Sequence, residues 1–434
     1  MRPLAALTLA LCASACAGTT GTIGVDLVTA PGSHLLDAVQ RLRLTITEPH
    51  QVVEAMRTAS GFDLALELDA GDATGALIVE GFDAAGARIA CGQSPRFPVA
   101  AINAHVVVYI APPGSIAIAP AALPGPRSEV SATAISYGAV LAGGRDPGGA
   151  PTTEIAVYNA FDHSLIAGVP LPGARAGLAM AAGAGGGVYL FGGTGPDGNP
   201  TGTLWRFDTT AAPNGSFATL ADQPSHARTR QLLVPIAAER YLVTGTPALE
   251  LRSGTLAERS GIPALPAAGA GVSPGDGNPT AVFAGESVLR FRGEAFDSLA
   301  SPPRGDDVAA TALPDGRIAV FGGADPASGH DALVIDGKTG VVTVIPGALA
   351  TLRSHPALAA TSRHVVIAGG TDAGGAPIAT AEVLDVRSLA RIATLPILPR
   401  SGGFAIALPN DQVLLGGGAP AAAALELFTP EPPP

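Results

Sequence analysis

Short apolar runs separated by Gly, Pro, Asp and Asn recur along the whole chain, and no long stretch has apolar residues at helical spacing. This pattern predicts many short β-strands joined by turns. Between residues 19 and 112, segments such as RLRLTIT and FDLALEL alternate apolar and polar residues, as half-buried strands do. The segment GALIVEGFDAAGARIACG predicts a hairpin in which Gly86 takes a positive φ. We therefore expect a small β-sandwich over residues 19–112.

From about residue 113 a different pattern begins, in which an apolar run ends on paired glycines, as in GRIAVFGG. Five copies are clear and two are weaker, and the second glycine or its counterpart falls at 144, 193, 245, 285, 323, 370 and 417. The repeat is therefore about 45 residues long. After each glycine pair comes a loop, a strand that ends in Asn or Asp, and a further strand that leads to a Pro-rich link. Each unit thus predicts a four-stranded up-and-down sheet, and stacking the units about an axis buries both faces of each sheet.

The apolar strand with its glycine pair, the variable loop, the strand ending near Asp and the Pro-rich link to Arg resemble the kelch repeat. The resemblance covers residues 113–434, although the aromatic positions of the family survive only as Tyr158, and Trp205 lies in a third strand. It implies a kelch-type β-propeller of six or seven blades. The segment GSIAIAPAALPGPR (114–127) would supply a strand that completes the last blade and removes an open edge. The expected fold class is all-β: an immunoglobulin-like or transthyretin-like β-sandwich over 19–112, followed by the propeller over 113–434.

An arginine stands just before the first strand of six units. In kelch propellers this position lies near the mouth of the central channel, so the resemblance implies six guanidinium groups that bind the carboxylates of a ligand. The alternative is that each arginine holds an inter-blade carbonyl or a neighbouring acid. His226, Asp306 and His355 lie close to these arginines in sequence and would join either role. The six residues are Arg127, Arg175, Arg228, Arg304, Arg353 and Arg400, and the missing one would fall near Ala267.

The first residues, MRPLAALTLALCASACAG, have the features of a signal peptide over residues 1–15: a positive start at Arg2, an apolar region at 4–12, and small residues before Cys16. The segment ASAC resembles the lipobox of bacterial lipoproteins, which implies cleavage after Ala15 and a lipid anchor on Cys16. Ala17 implies, by the same resemblance, sorting to the outer membrane, with the periplasmic and the cell-surface side both open. The alternative is ordinary secretion after Ala15.

Charge and cysteine content narrow the functional classes. The formal net charge is −11 with dispersed acids, which predicts a solvated acidic surface and excludes the basic stripe of a nucleic-acid binder. Cys12 leaves with the signal peptide and Cys16 would be acylated, so only Cys91 remains and no intrachain disulfide forms. We expect Cys91 to be a buried small residue and the protein to be a monomer.

Catalytic and metal-binding motifs are weak. Galactose oxidase has a kelch-like ring, but its copper site needs a Cys–Tyr crosslink, and here Cys91 lies outside the ring while the ring histidines lack metal-ligand spacing. We therefore expect no cofactor and no metal. Asp306 and Asp307 in GDD offer two carboxylates, for which a solvated turn is the simpler interpretation. The Asp/Gly loops DPGG, GPDGN, GDGN and TDAGG follow turn chemistry rather than calcium-ligand spacing.

These observations favour a non-enzymatic envelope lipoprotein, in which the sandwich lifts a kelch-like propeller that binds a protein, a glycan or another anionic ligand. The alternative is a secreted carbohydrate-active enzyme, a lyase, epimerase or hydrolase of acidic sugars, with its active site at the propeller mouth. A purely structural envelope component is a third interpretation. An acid/base pair that converges with the arginines would favour the enzyme, and a shallow rim without one would favour binding.

Overall fold

The computed structural model describes residues 20–432 of the chain, except 60, 63–64, 70–72, 99–104, 261–262, 264, 266–268, 275–279, 306, 324 and 326. This part is all-β apart from the four-residue helix α1 (Leu35–Ala38) and two 3-10 turns at Ala184–Gly186 and Pro224–His226. None of its helices is long and apolar enough to cross a membrane. The predicted signal peptide, its lipobox with Cys16, and Asp306 lie outside the described residues.

The N-terminal domain, residues 20–111, has nine described strands. They are β1 (Thr20–Val28), β2 (Arg41–Ile46), β3 (Gln51–Met56), β4 (Ala65–Asp69), β5 (Thr74–Gly75), β6 (Leu77–Phe82), β7 (Arg88–Gln93), β8 (Phe97–Pro98) and β9 (His105–Tyr109). The sheet orders are β4-β1-β9, β3-β2-β6-β7 and β5-β8, and only β1 and β9 pair in parallel in this part of the described chain. Val25 and Val108 of the first sheet share one buried core with Leu44 and Val79 of the second. The immunoglobulin-like or transthyretin-like assignment of this domain stays a prediction.

Seven units of four antiparallel strands follow in the described part of the chain. Units 1 to 5 are separate sheets whose strands pair in chain order, as the repeat predicts. Unit 1 has β11 (Ser131–Ile135), β12 (Gly138–Ala142), β13 (Ile155–Asn159) and β14 (Ser164–Ala167); unit 2 has β15 (Ala179–Ala182), β16 (Gly187–Phe191), β17 (Thr203–Asp208) and β18 (Ser216–Asp222). Unit 3 has β19 (Leu233–Ala237), β20 (Arg240–Val243), β21 (Leu249–Arg252) and β22 (Thr255–Glu258); unit 4 has β23 (Ala270–Val272), β24 (Thr280–Ala284), β25 (Val288–Arg292) and β26 (Ala295–Leu299). Unit 5 has β27 (Val308–Ala312), β28 (Arg317–Gly322), β29 (Ala332–Asp336) and β30 (Val342–Ile345).

Units 6 and 7 share one seven-stranded sheet, because a single long strand runs through both. The strands are β10 (Ser115–Arg127), β31 (Ala357–Ala360), β32 (His364–Ala368), β33 (Ile378–Asp385), β34 (Arg391–Ala407), β35 (Val413–Ala419) and β36 (Ala422–Thr429). Residues 391–400 of β34 pair with β33, whereas residues 401–407 pair with β35. The early strand β10 pairs antiparallel with β36, in the register Ser115↔Thr429. The prediction that residues 114–127 complete the last unit is thereby confirmed.

The first strands of successive units contact one another in a closed series. β11 contacts β15, β15 contacts β19, and the series continues through β23, β27 and β31 to β34, which contacts β11 again. No single sheet closes on itself in the described residues. Separate sheets joined in this cyclic order are consistent with a propeller-like arrangement, which we call the ring.

Strand β28 shows why the repeat has a continuous apolar run. Ile318 and Val320 pack into a cluster shared with unit 4, whereas Ala319 and Phe321 pack into a cluster shared with unit 6. All four side chains are fully buried. Because both faces of the strand meet a neighbouring sheet, the four positions from 318 to 321 are all apolar.

The N-terminal domain contacts the ring around a buried histidine. His163, in unit 1, is 1% exposed, and its Nδ1 lies 2.9 Å from the hydroxyl of Tyr158. Its Nε2 accepts the backbone N–H of Tyr109, at the end of β9, at 3.3 Å. Cys91 is buried nearby, as predicted, and its thiol donates to the carbonyl of Pro430 at 3.4 Å.

Candidate ligand-binding site

The glycine pairs and the repeat arginines together form the joint between neighbouring units. The N–H of Gly144 in unit 1 donates to the carbonyl of Arg175 at the start of unit 2, at 2.9 Å, and Gly370 makes the same bond to Arg400. Both glycines have positive φ, which few other residues adopt without strain. The carbonyls of these two arginines therefore join units 2 and 7 to the units before them.

The side chains of four repeat arginines are directed into their own units. Arg127, Arg304 and Arg353 donate from Nη1 to the carbonyls of Gly143, Gly322 and Gly369, at 2.7, 3.2 and 2.9 Å. With Arg400 they are at most 3% exposed. Arg353 also pairs with the fully buried carboxylate of Glu382 at 2.9 Å, and Arg400 pairs with buried Glu426.

Arg175 and Arg228 are only partly buried. The guanidinium of Arg175 lies 4.9 Å from the centre of the Trp205 ring. Arg228 donates to the carbonyls of Thr244 and Pro247, at 3.0 and 2.9 Å. Burial lowers the pKa of all six repeat arginines, and nearby carboxylates raise it in each case.

These contacts are those expected of the structural alternative, in which each arginine holds backbone carbonyls and acids. Arg304 nevertheless keeps its Nε and Nη2 atoms without a hydrogen-bond partner among the described residues. Ligand binding by the six arginines stays a prediction.

A second set of described positions, two residues after a repeat arginine or its counterpart, surrounds the mouth, the end of the ring at which the first strands begin. Most of these residues have a left-handed backbone, with φ of 51° at Glu129, 59° at Arg230 and 49° at His355. Glycine takes the corresponding place in three units, at Gly177, Gly269 and Gly402. A left-handed backbone costs a residue with a side chain on the order of 1 kcal/mol or more, whereas glycine adopts it freely. Three units therefore carry charged or titratable side chains at positions that would be less strained as glycine.

These positions line a basin with a volume of about 590 Å³. Residues at or just before the first strands of units 1, 2, 3, 4, 6 and 7 contribute to its wall. At Gly177 and Gly402 an added Cβ would meet nothing within 4 Å, so these glycines leave the basin open. A volume of a few hundred Å³ suits a small-molecule ligand.

One cluster of charged side chains spans the basin. Arg230 of unit 3 reaches His355 of unit 6, with 3.5 Å between Nη2 and Nε2. The same Nε2 lies 3.1 Å from Oδ1 of Asp307, which directly precedes the first strand of unit 5. The side chain of His355 is 39% exposed and that of Asp307 33%, so solvent and ligands reach both. No carboxylate of the described residues lies within ion-pair distance of Arg230.

A second charged pair lies on the wall of the basin in unit 1. Arg145 donates from Nε to the carboxylate of Glu129 at 2.9 Å and from Nη1 to the carbonyl of Gly149 at 3.0 Å. This arginine is therefore neutralised, and Arg230 is the more available cation of the basin.

Sequence placed His226, Asp306 and His355 near the repeat arginines, and of the two that the structure describes, His355 lies in the basin. His226 is buried, with Nε2 3.5 Å from Glu258, and Asp306 lies outside the described residues. Sequence reasoning missed Arg230, Glu129 and Arg145. A signal for the first two is present, because each stands two residues after a repeat arginine, as His355 does.

The Asp/Gly loops have the geometry of turns where they are described. Asp146 and Asp372 accept backbone N–H groups from Ala150 and Ala376, both at 2.9 Å. The GDGN loop, residues 275–278, lies outside the described residues. Within the described ranges, no group of three or more His, Cys, Asp or Glu side chains is placed to hold a metal ion.

No protein-family model matches the chain, and no match to it is found among curated proteins. The basin is therefore interpreted from its own geometry and charge.

Proposed function

We propose that residues 113–434 form a seven-bladed kelch-type propeller that serves as a binding module, and that an anionic ligand binds in the basin at its mouth. The cyclic order of contacts among seven first strands supports the blade count. The glycine pairs and the arginine joint support the kelch assignment, since both recur from unit to unit at the expected positions.

Arg230 is the observation that carries the binding proposal. Its exposed guanidinium extends across the basin without a carboxylate partner among the described residues, on a protein with a net charge of −11. An unpaired guanidinium presents a planar set of donors that matches a carboxylate. None of the described residues that line the basin is Phe, Tyr or Trp, so recognition rests on charge and hydrogen bonds rather than on stacking against a large ring.

The test is calorimetric titration with digalacturonate and with neutral digalactose of the same size. We expect digalacturonate alone to bind, and Arg230→Gln to weaken it by tenfold or more, because a charged hydrogen bond is lost. Arg387→Gln is the matched control, since Arg387 is also exposed but lies in the turn between β33 and β34, at the opposite end of the unit. Equal binding of the two sugars, or equal loss in both variants, would contradict the proposal.

The proposal includes a lipid anchor on Cys16 and an outer-membrane location, with the N-terminal domain as a spacer between lipid and propeller. Its support is the ASAC segment after a short apolar region. Metabolic labelling with an alkyne fatty acid should mark the wild type and not Cys16→Ser. Labelling that persists in the variant would refute the anchor.

The His355–Asp307 pair favours a second candidate function, an enzyme that acts on acidic sugars. A histidine oriented by a carboxylate and beside a carboxylate-binding arginine has the elements for proton abstraction. Release of new reducing or unsaturated ends from polygalacturonate, lost in His355→Gln, would establish this activity. Binding without such release leaves the module non-enzymatic.

A further inference from the structure

The Nε2 atom of His355 has one hydrogen-bond donor and one hydrogen-bond acceptor as neighbours. Arg230 presents an N–H donor at 3.5 Å, and Asp307 presents a carboxylate acceptor at 3.1 Å. A neutral imidazole nitrogen either donates or accepts a hydrogen bond. With a proton on Nε2 the contact with Arg230 is unfavourable, and without it the contact with Asp307 is unfavourable.

A proton added to His355 lets the ring donate a hydrogen bond to Asp307. It also makes His355 a second cation beside Arg230. The imidazolium donates from Nε2 to the Asp307 carboxylate, while the two positive groups then face the same basin. Among the described residues of the basin wall, the other charged groups are Glu129 and Arg145, which pair with each other. An anion held between Arg230 and the imidazolium would relieve their repulsion.

We propose that Arg230 and His355 together bind one carboxylate of the ligand, and that binding takes up a proton on His355. This inference rests on the proposed binding function and adds its ligand class and its pH dependence. A sugar acid of one or two residues carries the required carboxylate, and its size suits the basin volume of about 590 Å³. An acidic peptide is disfavoured because the described wall contains no Phe, Tyr or Trp to anchor it.

Proton uptake is measured by titrating digalacturonate into the protein in buffers of different ionisation enthalpy. We expect up to one proton taken up per ligand, and less uptake at lower pH, because a ring that already carries the proton before binding takes up none. Affinity should fall by up to tenfold per pH unit above the histidine transition, in line with one linked proton.

Two variants of His355 identify the group that takes up the proton. His355→Gln and His355→Asn should abolish proton uptake and make the affinity independent of pH over the same range. Asn is included because it tolerates the left-handed backbone of this position. His34→Gln is the matched control, since His34 forms an exposed pair with Asp37 at 3.0 Å outside the basin.

The possible outcomes distinguish a failure of the proton-uptake proposal from a failure of the proposed binding function. Digalacturonate that binds without proton uptake, or with the same uptake in the His355 variants, overturns the inference and leaves the binding function standing. An absence of binding at every pH overturns both. An acidic peptide that binds at Arg230 in place of the sugar acid overturns the ligand class.

Discussion

His163 should make the stability of this protein depend on pH, because it is held neutral at the contact between the N-terminal domain and unit 1. Its Nε2 accepts the backbone N–H of Tyr109, so the neutral ring carries its proton on Nδ1, facing the hydroxyl of Tyr158. Protonation would place a second N–H against that of Tyr109. Burial lowers the pKa of His163 from 6.5 to about 4, and the nearby carboxylate of Asp162 offsets only part of this effect.

The sign and the size of the effect follow from this shift. Between pH 6.5 and about 4 the unfolded chain binds a proton at His163 that the folded protein excludes, so stability falls as the pH falls through this window. Below the folded pKa no further loss from this group is expected. The shift corresponds to roughly 3 kcal/mol of unfolding free energy.

Urea unfolding of the wild type and of His163→Gln at several pH values measures the contribution. Gln offers the same acceptor and donor without titrating, so the difference in unfolding free energy should change by roughly 3 kcal/mol between about pH 7 and pH 4. His34→Gln removes an exposed histidine and should follow the wild type. Parallel pH profiles for the wild type and His163→Gln would refute the reasoning.

Two further substitutions test, by urea unfolding, a buried ion pair within unit 6 and the joint between units 6 and 7. Glu382→Ala should cost about 3–5 kcal/mol, because it leaves the buried guanidinium of Arg353 without its carboxylate; a loss below about 1 kcal/mol would show that the pair is not needed. Gly369→Ala should cost about 2 kcal/mol or more, because φ is 63° and a Cβ would collide with the carbonyl oxygen of Arg400. Gly125→Ala is its control, with nothing within 4 Å of the added atom, and equal losses for the two would contradict the joint.

Much of the architecture was predictable because it depends on local and periodic signals. The apolar run and the glycine pair of GRIAVFGG recur in every clear unit, and the two weak copies at RYLVTGT and TAVFAGE also form second strands, β20 and β24. The hairpin around Gly86 is likewise confirmed, with φ of 81° between β6 and β7. Each of these features depends on residues a few positions apart.

The basin was less predictable because it depends on contacts between distant units. Arg230 and His355 are 125 residues apart, and Asp307 belongs to a third unit. The repeat arginines stand out in the sequence because they recur. Residues that have the same structural role in every unit recur in the same way, so recurrence alone does not indicate a binding site. The described residues two positions later are Glu, Arg, Gly or His, although their backbone is left-handed in each case. This variation distinguishes residues of the basin wall from the repeat arginines, which have the same structural role in several units.

A crystal structure of the complex with digalacturonate tests the central claim most directly. We expect one carboxylate of the sugar between the guanidinium of Arg230 and the imidazole of His355, within hydrogen-bond distance of both. A sugar bound elsewhere on the ring or on the N-terminal domain, with the basin free of ligand, would contradict the assignment of the mouth as the binding site.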